Sequence, residues 1–313
     1  MKKRGRLILI GSLCLVGVLM GLLASAEKGT QKPRGSYSIF EETMVDLSWP
    51  EVEQAAKDGA IILFPTAVIE EHGPHMGIGV DTYEAYMKCK LLRRELEKRG
   101  IYALIAPPFY WGINVATAAW AGSFTSRPST VQAVLFDALA SLRKWGFLNV
   151  FFINFHGNKD HTLAICNAIE EARSATGVKA YYPMRLSDAR PWGLTAKEYV
   201  LMEESPPPSE TPPSIYLDPH AGRSETSMMA YYFPGQVDLD LARKLIPIKV
   251  KADDFAKWRS GPEAAKQMTP LGYIDDPASF DPNAGRKAME EGVGRSANVI
   301  ESFIKGTYRP PTP

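Results

Sequence analysis

Residues 68–81 read VIEEHGPHMGIGVD and put two glutamates, two histidines and an aspartate into fourteen positions. Glu70 and His72 are two apart, so extended backbone turns both side chains to one side. Gly73, Pro74, Gly77 and Gly79 then allow tight turns that return Asp81 to the same point. Imidazole nitrogen beside carboxylate oxygen is a donor set that divalent Zn, Mn or Fe takes. A carboxylate carries two oxygens and can bridge a pair of ions, which is a common hydrolytic arrangement. Glu71, between Glu70 and His72, is expected to face the other way, where it serves the fold or hydrogen-bonds a ligand.

All five histidines fall in three short stretches: His72 and His75 above, His156 and His161 in NFHGNKDH, and His220 in DPHAGRSETS. Thiolate is absent from these stretches, which argues against a closed structural zinc and for a site with open positions. His75 and His161 read as loop-packing residues or as hydrogen-bond partners of a ligand.

Elements must carry these stretches to one place. AIILFP (60–65) is a short apolar run of the kind that forms a buried strand. Residues 83–100 have helical apolar spacing and a glycine stop. Further strands are expected at 102–108, 149–155 and 179–184, and further helices at 130–146, opened by Ser129, and at 160–177. Strands alternating with helices imply a three-layer α/β/α fold around a mostly parallel sheet. In such sheets ligands bind beyond the carboxyl ends of the strands. The first polar stretch follows the first strand and NFHGNKDH ends the third, so both fall on the same rim. A proline-dense loop covers 205–214, the third polar stretch opens a helix, and GRSANVIESFIKG (294–306) forms the closing helix.

These blocks, EEHGPHMGIGVD, then NFHGN, then HAGRSETS, resemble the creatininase (creatinine amidohydrolase) family in order along the chain. AGSFTSRPST is similar to a fourth family block, and the resemblance spans roughly residues 45 to 305. It implies the same layered fold and a two-metal site per chain. Glu70, Asp81 and His156 would hold one ion, His72 and Asp81 the other, with Asp81 as the bridge. In creatininase a glutamate two residues after the second-block histidine holds the second ion, and here that position is Asn158. Glu225 is then a candidate to complete the second position, or a hydrogen-bonding anchor. His220 corresponds to the family histidine that moves a proton to the leaving nitrogen. Phe155 and Ala121 replace a family glycine and proline near the substrate pocket. Trp111, Trp120 and Trp192 are candidates to line it.

The activity implied is hydrolysis of a C–N amide bond in a small cyclic or linear amide by metal-activated water. A peptidase-like relative trimming a short peptide is the alternative. Asn158 also leaves open a protein that keeps the fold and a metal without turnover. Family members commonly form homo-oligomers, hexamers among them.

Composition bounds the remaining possibilities. MKKRGR, a continuous apolar run and ASA ending at Ala26 have the order of a secretory signal cleaved after residue 26, or of an uncleaved N-terminal anchor. A periplasmic or secreted body with residues 27–44 as a linker, 45–305 as the domain and 306–313 as a disordered tail is expected. Losing residues 1–26 removes four basic residues and no acid, so the net charge of +1 becomes −3. Such a surface gives no argument for nucleic acid, and for a membrane only through an uncleaved N-terminus. Cys89 and Cys166 then remain, enough for one bridge and no disulfide framework.

Overall fold

The computed structural model describes residues 38–204 and 214–310. In chain order the elements are α1 (Trp49–Lys57), β1 (Ile61–Thr66), α2 (Val80–Lys98), β2 (Ala103–Ile105), α3 (Pro128–Lys144), β3 (Asn149–Asn154), α4 (Lys159–Thr176) and β4 (Lys179–Arg185). They continue with α5 (Leu186–Ala189), β5 (Val200–Glu203), α6 (Arg223–Tyr232), α7 (Leu239–Ala242), α8 (Ala252–Trp258), α9 (Pro262–Met268) and α10 (Pro282–Ile304).

The five strands form one parallel sheet in the order β2-β1-β3-β4-β5. β1 (IILFPT) is buried at every residue, and Val150–Ile153 of β3 are buried too, as expected of strands covered on both faces. Pro65 lies in a central strand but turns its missing N–H towards the β2 side. There regular pairing has already ended, with Ile105 opposite Leu63. Chain reversal between β1–β2 and β2–β3 puts α2 on one face and α3 with α4 on the other, given right-handed crossovers. α10 packs with α2 and α6 to complete the first of these layers. The α/β/α class with a parallel sheet is therefore borne out.

Several boundaries move. α2 begins at Val80, so Asp81 occupies its first turn and not the preceding loop. α3 is entered from Arg127 with Pro128 at its first position, and Ser129 lies inside the helix where a cap was expected. β5 adds a strand not anticipated. The closing helix starts at Pro282, well before Gly294, because Gly285, Gly292 and Gly294 all lie within it. A Cβ at Gly285 would stand 2.3–2.4 Å from the Ser227 and Met228 backbone. That glycine lets α10 approach α6 closely.

Residues 38–44, within the stretch read as a linker, are packed on α2. Glu42 pairs with Arg93 and Arg94, each at 2.6 Å, and Tyr86 donates to the Glu41 carbonyl. The signal or anchor (1–26), residues 27–37, the core of the proline-rich loop (205–213) and the last three residues lie outside the described residues. No helix among those described is long and apolar enough to cross a membrane. Cys89 on α2 and Cys166 on α4 are buried and free, on opposite faces of the sheet, which rules out the bridge considered above.

Candidate metal centre

The loop after β1 is fastened by Glu70 N–H donating to the Ile78 carbonyl (3.0 Å), which closes the glycine-rich turn and delivers Asp81 into α2. His72 Nδ1 lies 3.2 Å from the Glu70 carbonyl, so Nδ1–H donates there and Nε2 is left as the ligand atom. His156 makes the opposite choice: its Nε2 meets the Ile113 carbonyl at 3.0 Å and Nδ1 faces the centre. Asp81 stands between them. Its Oδ1 is 3.3 Å from His72 Nε2 and its Oδ2 is 3.0 Å from His156 Nδ1.

Among the described residues three groups have donor atoms within 4.8 Å of one another: Glu70, Asp81 and His156; His72, Asp81 and Glu225; and Glu70, His72 and His220. The first two share Asp81. Glu70 Oε1 lies 3.1 Å from His156 Nδ1, and Thr117 donates to Oε2 of the same carboxylate. Glu225 Oε2 is 3.6 Å from His72 Nε2 and also accepts from Ala221 N–H. Glu225 thus fills both roles considered for it, ligand geometry and backbone anchor. That backbone is unusual, since Ala221 has φ 49°, in the left-handed region. Gly222 follows it because a Cβ there would lie 2.0 Å from the Asp218 carboxylate and 2.2 Å from the Ile274 carbonyl. His72 Nε2 and Asp81 Oδ2 are buried without a hydrogen-bond partner, and nitrogen and oxygen donors converge on both groups. The residues fit divalent ions.

Electrostatics point the same way. Burial opposes charge on His72, yet Asp81 and Glu225 outweigh it and raise the imidazole pKa well above its ordinary value. For His156, burial is again overcome, by Glu70 and Asp81, and the pKa rises to about 10. Burial alone would raise the Asp81 carboxyl, but His72 and His156 hold it far below the carboxylate range. An interior this rich in acid favours positive charge.

His220 lies beside the centre with its ring centroid 4.5 Å from that of His72. Glu71 holds His220 Nε2 at 3.2 Å and accepts from Gly73 N–H. Nδ1 of His220 then faces Glu70 Oε1 at 3.9 Å. Asn158 is the N-cap of α4, its side-chain oxygen accepting from His161 N–H at 3.1 Å. It borders the pocket, with its side-chain oxygen given to that cap. His75 Nε2 lies 2.9 Å from Thr226 Oγ1, outside the cluster. His161 is buried edge-on to His156, with centroids 5.3 Å apart.

The cluster floors a cavity of about 280 Å³ whose wall includes Trp192, Phe255, Trp258 and Arg259. Trp111 packs on Phe124 and Trp120 reaches the Pro270 carbonyl; neither lines this cavity. Thr117, Trp258 and Arg259 are site residues that the sequence does not mark. Thr117 sits in an alanine-rich run, and α8 carries no motif that would mark Trp258.

Fold and cluster together define a parallel-sheet α/β protein with a carboxylate–imidazole cradle for divalent metal at the sheet's carboxyl rim. The chain belongs to the creatininase family, described as creatinine amidohydrolase, whose profile matches residues 45–300. It is 24% identical over 251 residues to a mycofactocin precursor peptide peptidase of Mycolicibacterium smegmatis (strain ATCC 700084 / mc(2)155), covering 78% of this chain and 85% of that one. With a creatinine amidohydrolase of Pseudomonas putida it shares 26% over 216 residues, 66% of this chain and 76% of the other. Among solved structures, a manganese creatininase matches with a TM-score of 0.62 at 20% identity, covering 84% of this chain and 98% of that chain. A Zn–Zn form of a creatininase variant gives 0.63 at 20% identity, with 86% and 99% covered. These structural likenesses establish the fold.

Proposed function

We propose that the protein is a metal-dependent amidohydrolase that cleaves a C–N amide bond of a small cyclic or linear amide. The observation that carries this reading is the division of Asp81 between His72 and His156, which builds two ligand groups around one shared carboxylate. Zn²⁺ or Mn²⁺ bound there would lower the pKa of a water and polarise the amide carbonyl. Glu70, Asp81 and His156 would hold one ion, and His72, Asp81 and Glu225 the other.

The chain's own residues supply the rest. Glu71 fixes the His220 tautomer by accepting from Nε2–H, leaving Nδ1 to take a proton and pass it to the departing nitrogen. Thr117 fixes the free oxygen of Glu70. Trp192 and Trp258 narrow the cavity around the amide and exclude bulk water.

A peptide substrate is the second reading. The similarity to a peptide peptidase over 78% of the chain favours it, as do the cations Arg259 and Lys159 at the cavity wall. The N-terminal 26 residues carry the further proposal that the enzyme works outside the cytoplasm.

The test is metal per chain on the purified protein beside its Asp81→Ala variant, followed by turnover of creatinine, simple amides and short peptides. Two ions lost together in the variant, with amide cleavage in the parent, is the expected result. A folded protein that takes up no supplied metal overturns the reading.

A further inference from the structure

Glu84 is an acid that the ligand groups above leave unused. It follows Asp81 by three residues on α2, which sets both carboxylates on one face of that helix. It is 1% exposed, and both of its oxygens are buried without a hydrogen-bond partner. A buried carboxyl without a partner keeps a proton when no cation is near, and a bound cation would replace that proton.

Its surroundings name that cation's place. Burial raises the Glu84 pKa most, Glu225 and Asp81 raise it further, and His72 acts in the opposite direction. Those three residues are the ligand group of the second position. Glu84 thus stands one helical turn from the shared ligand Asp81, with both oxygens buried and unpartnered. Glu225 and His72 of the second position are the other charged groups that act on it. His72 Nε2, buried and without a hydrogen-bond partner, is aimed at the second position. At position 158 the side chain is an uncharged amide whose oxygen caps α4. The second position is left with one imidazole and two carboxylates, one of them shared. Charge gives the same count: Glu70, Asp81 and Glu225 bring three negative charges to two divalent ions, and Glu84 brings the fourth.

We propose that Glu84 is a ligand of the second metal, closing on the ion held by His72, Asp81 and Glu225. Glu84 is outside the 4.8 Å groups as the side chains stand, so its engagement takes a change of side-chain rotamer while α2 stays in place. The inference rests on the metal reading of the site and deepens it.

The experiment strips the full-length protein of metal with a chelator and reloads it with Zn²⁺ alone. Ions per chain are counted by elemental analysis, and affinities come from competition with a chelating dye. Glu84→Gln should keep one ion as tightly as the parent and bind the second at least about tenfold more weakly, the scale of lost metal-site support. Its metal-free form should melt close to the metal-free parent, because the raised pKa lets Glu84 carry a proton in place of the ion, yet gain less on adding Zn²⁺. A merely structural Glu84 predicts a lower metal-free melt with an unchanged gain from Zn²⁺. Glu84→Asp, which keeps the charge and shortens the reach, gives a second measure of the second-ion affinity. Two ions bound by Glu84→Gln with parental affinity overturn the proposal, and so does a parent that binds only one. A parent that binds none removes the metal reading itself.

Discussion

Asp81 divides its two oxygens between two imidazoles whose tautomers are set in opposite senses by backbone carbonyls. His220 comes within donor range of Glu70 and His72 but belongs to neither group built on Asp81, and Glu71 holds its Nε2. Its removal therefore tests proton transfer apart from those two groups. His220→Gln should lower kcat on the amide substrate by about 10²–10⁴-fold, the usual weight of a positioned proton carrier. Elemental analysis should find its metal content unchanged. His75 gives a second test. Burial lowers its pKa to about 4, with His72 and His220 adding to the effect and Asp238 opposing it. The unfolded chain protonates this ring near pH 6.5, so the stability tied to its neutral form is complete above that pH. It is lost as pH falls from 6.5 towards 4, at up to about 1.4 kcal/mol per pH unit. Urea midpoints across that range should fall less steeply for His75→Gln than for the parent. Glu70, His72, Asp81 and His156 could be read from sequence because acids and histidines crowd into short stretches. Glu84 could not, since an acid in the second turn of a helix looks like an ordinary solvated one until its burial is known.

At the level of elements, the legible parts were those whose apolar runs are bounded by clear stops: β1, β3, α3 and α4. β5 (Val200–Glu203) escaped because four residues beside a proline-dense loop carry little periodicity. α10 was read short because three glycines look like breaks, whereas Gly285 marks the closest approach of two helices. That contact supports the site, since its partner α6 carries Glu225. Gly285→Ala should cost about 1–3 kcal/mol by forcing the helices apart. Guanidinium unfolding measures the loss, and Zn²⁺ affinity should weaken with it as Glu225 is displaced. A variant as stable as the parent would show that α10 and α6 can separate freely.

Across the whole molecule, the centre is drawn from residues 70–81, 156 and 220–225, so no short piece of the chain contains it. Sequence order placed the first two blocks on one rim of the sheet, because both follow strands. It could not place the third, which enters by way of α6 and no strand. The Thr117 turn and the Trp258 wall come from segments with no motif, and only packing brings them to the cavity.

The wide separation of the ligands also fixes when, during folding, metal can act. Residues 72 and 225 can share an ion only after β1, α2 and α6 have assembled around the sheet, at the end of a high-contact-order search. Metal should therefore leave the refolding rate near its metal-free value and slow unfolding instead, since the interaction is absent from the transition state. Stopped-flow chevrons with Zn²⁺ and with chelator should share a refolding limb and differ in the unfolding limb. On that outcome a bound ion would act as a latch on a finished structure, lengthening its lifetime without changing the speed with which it folds.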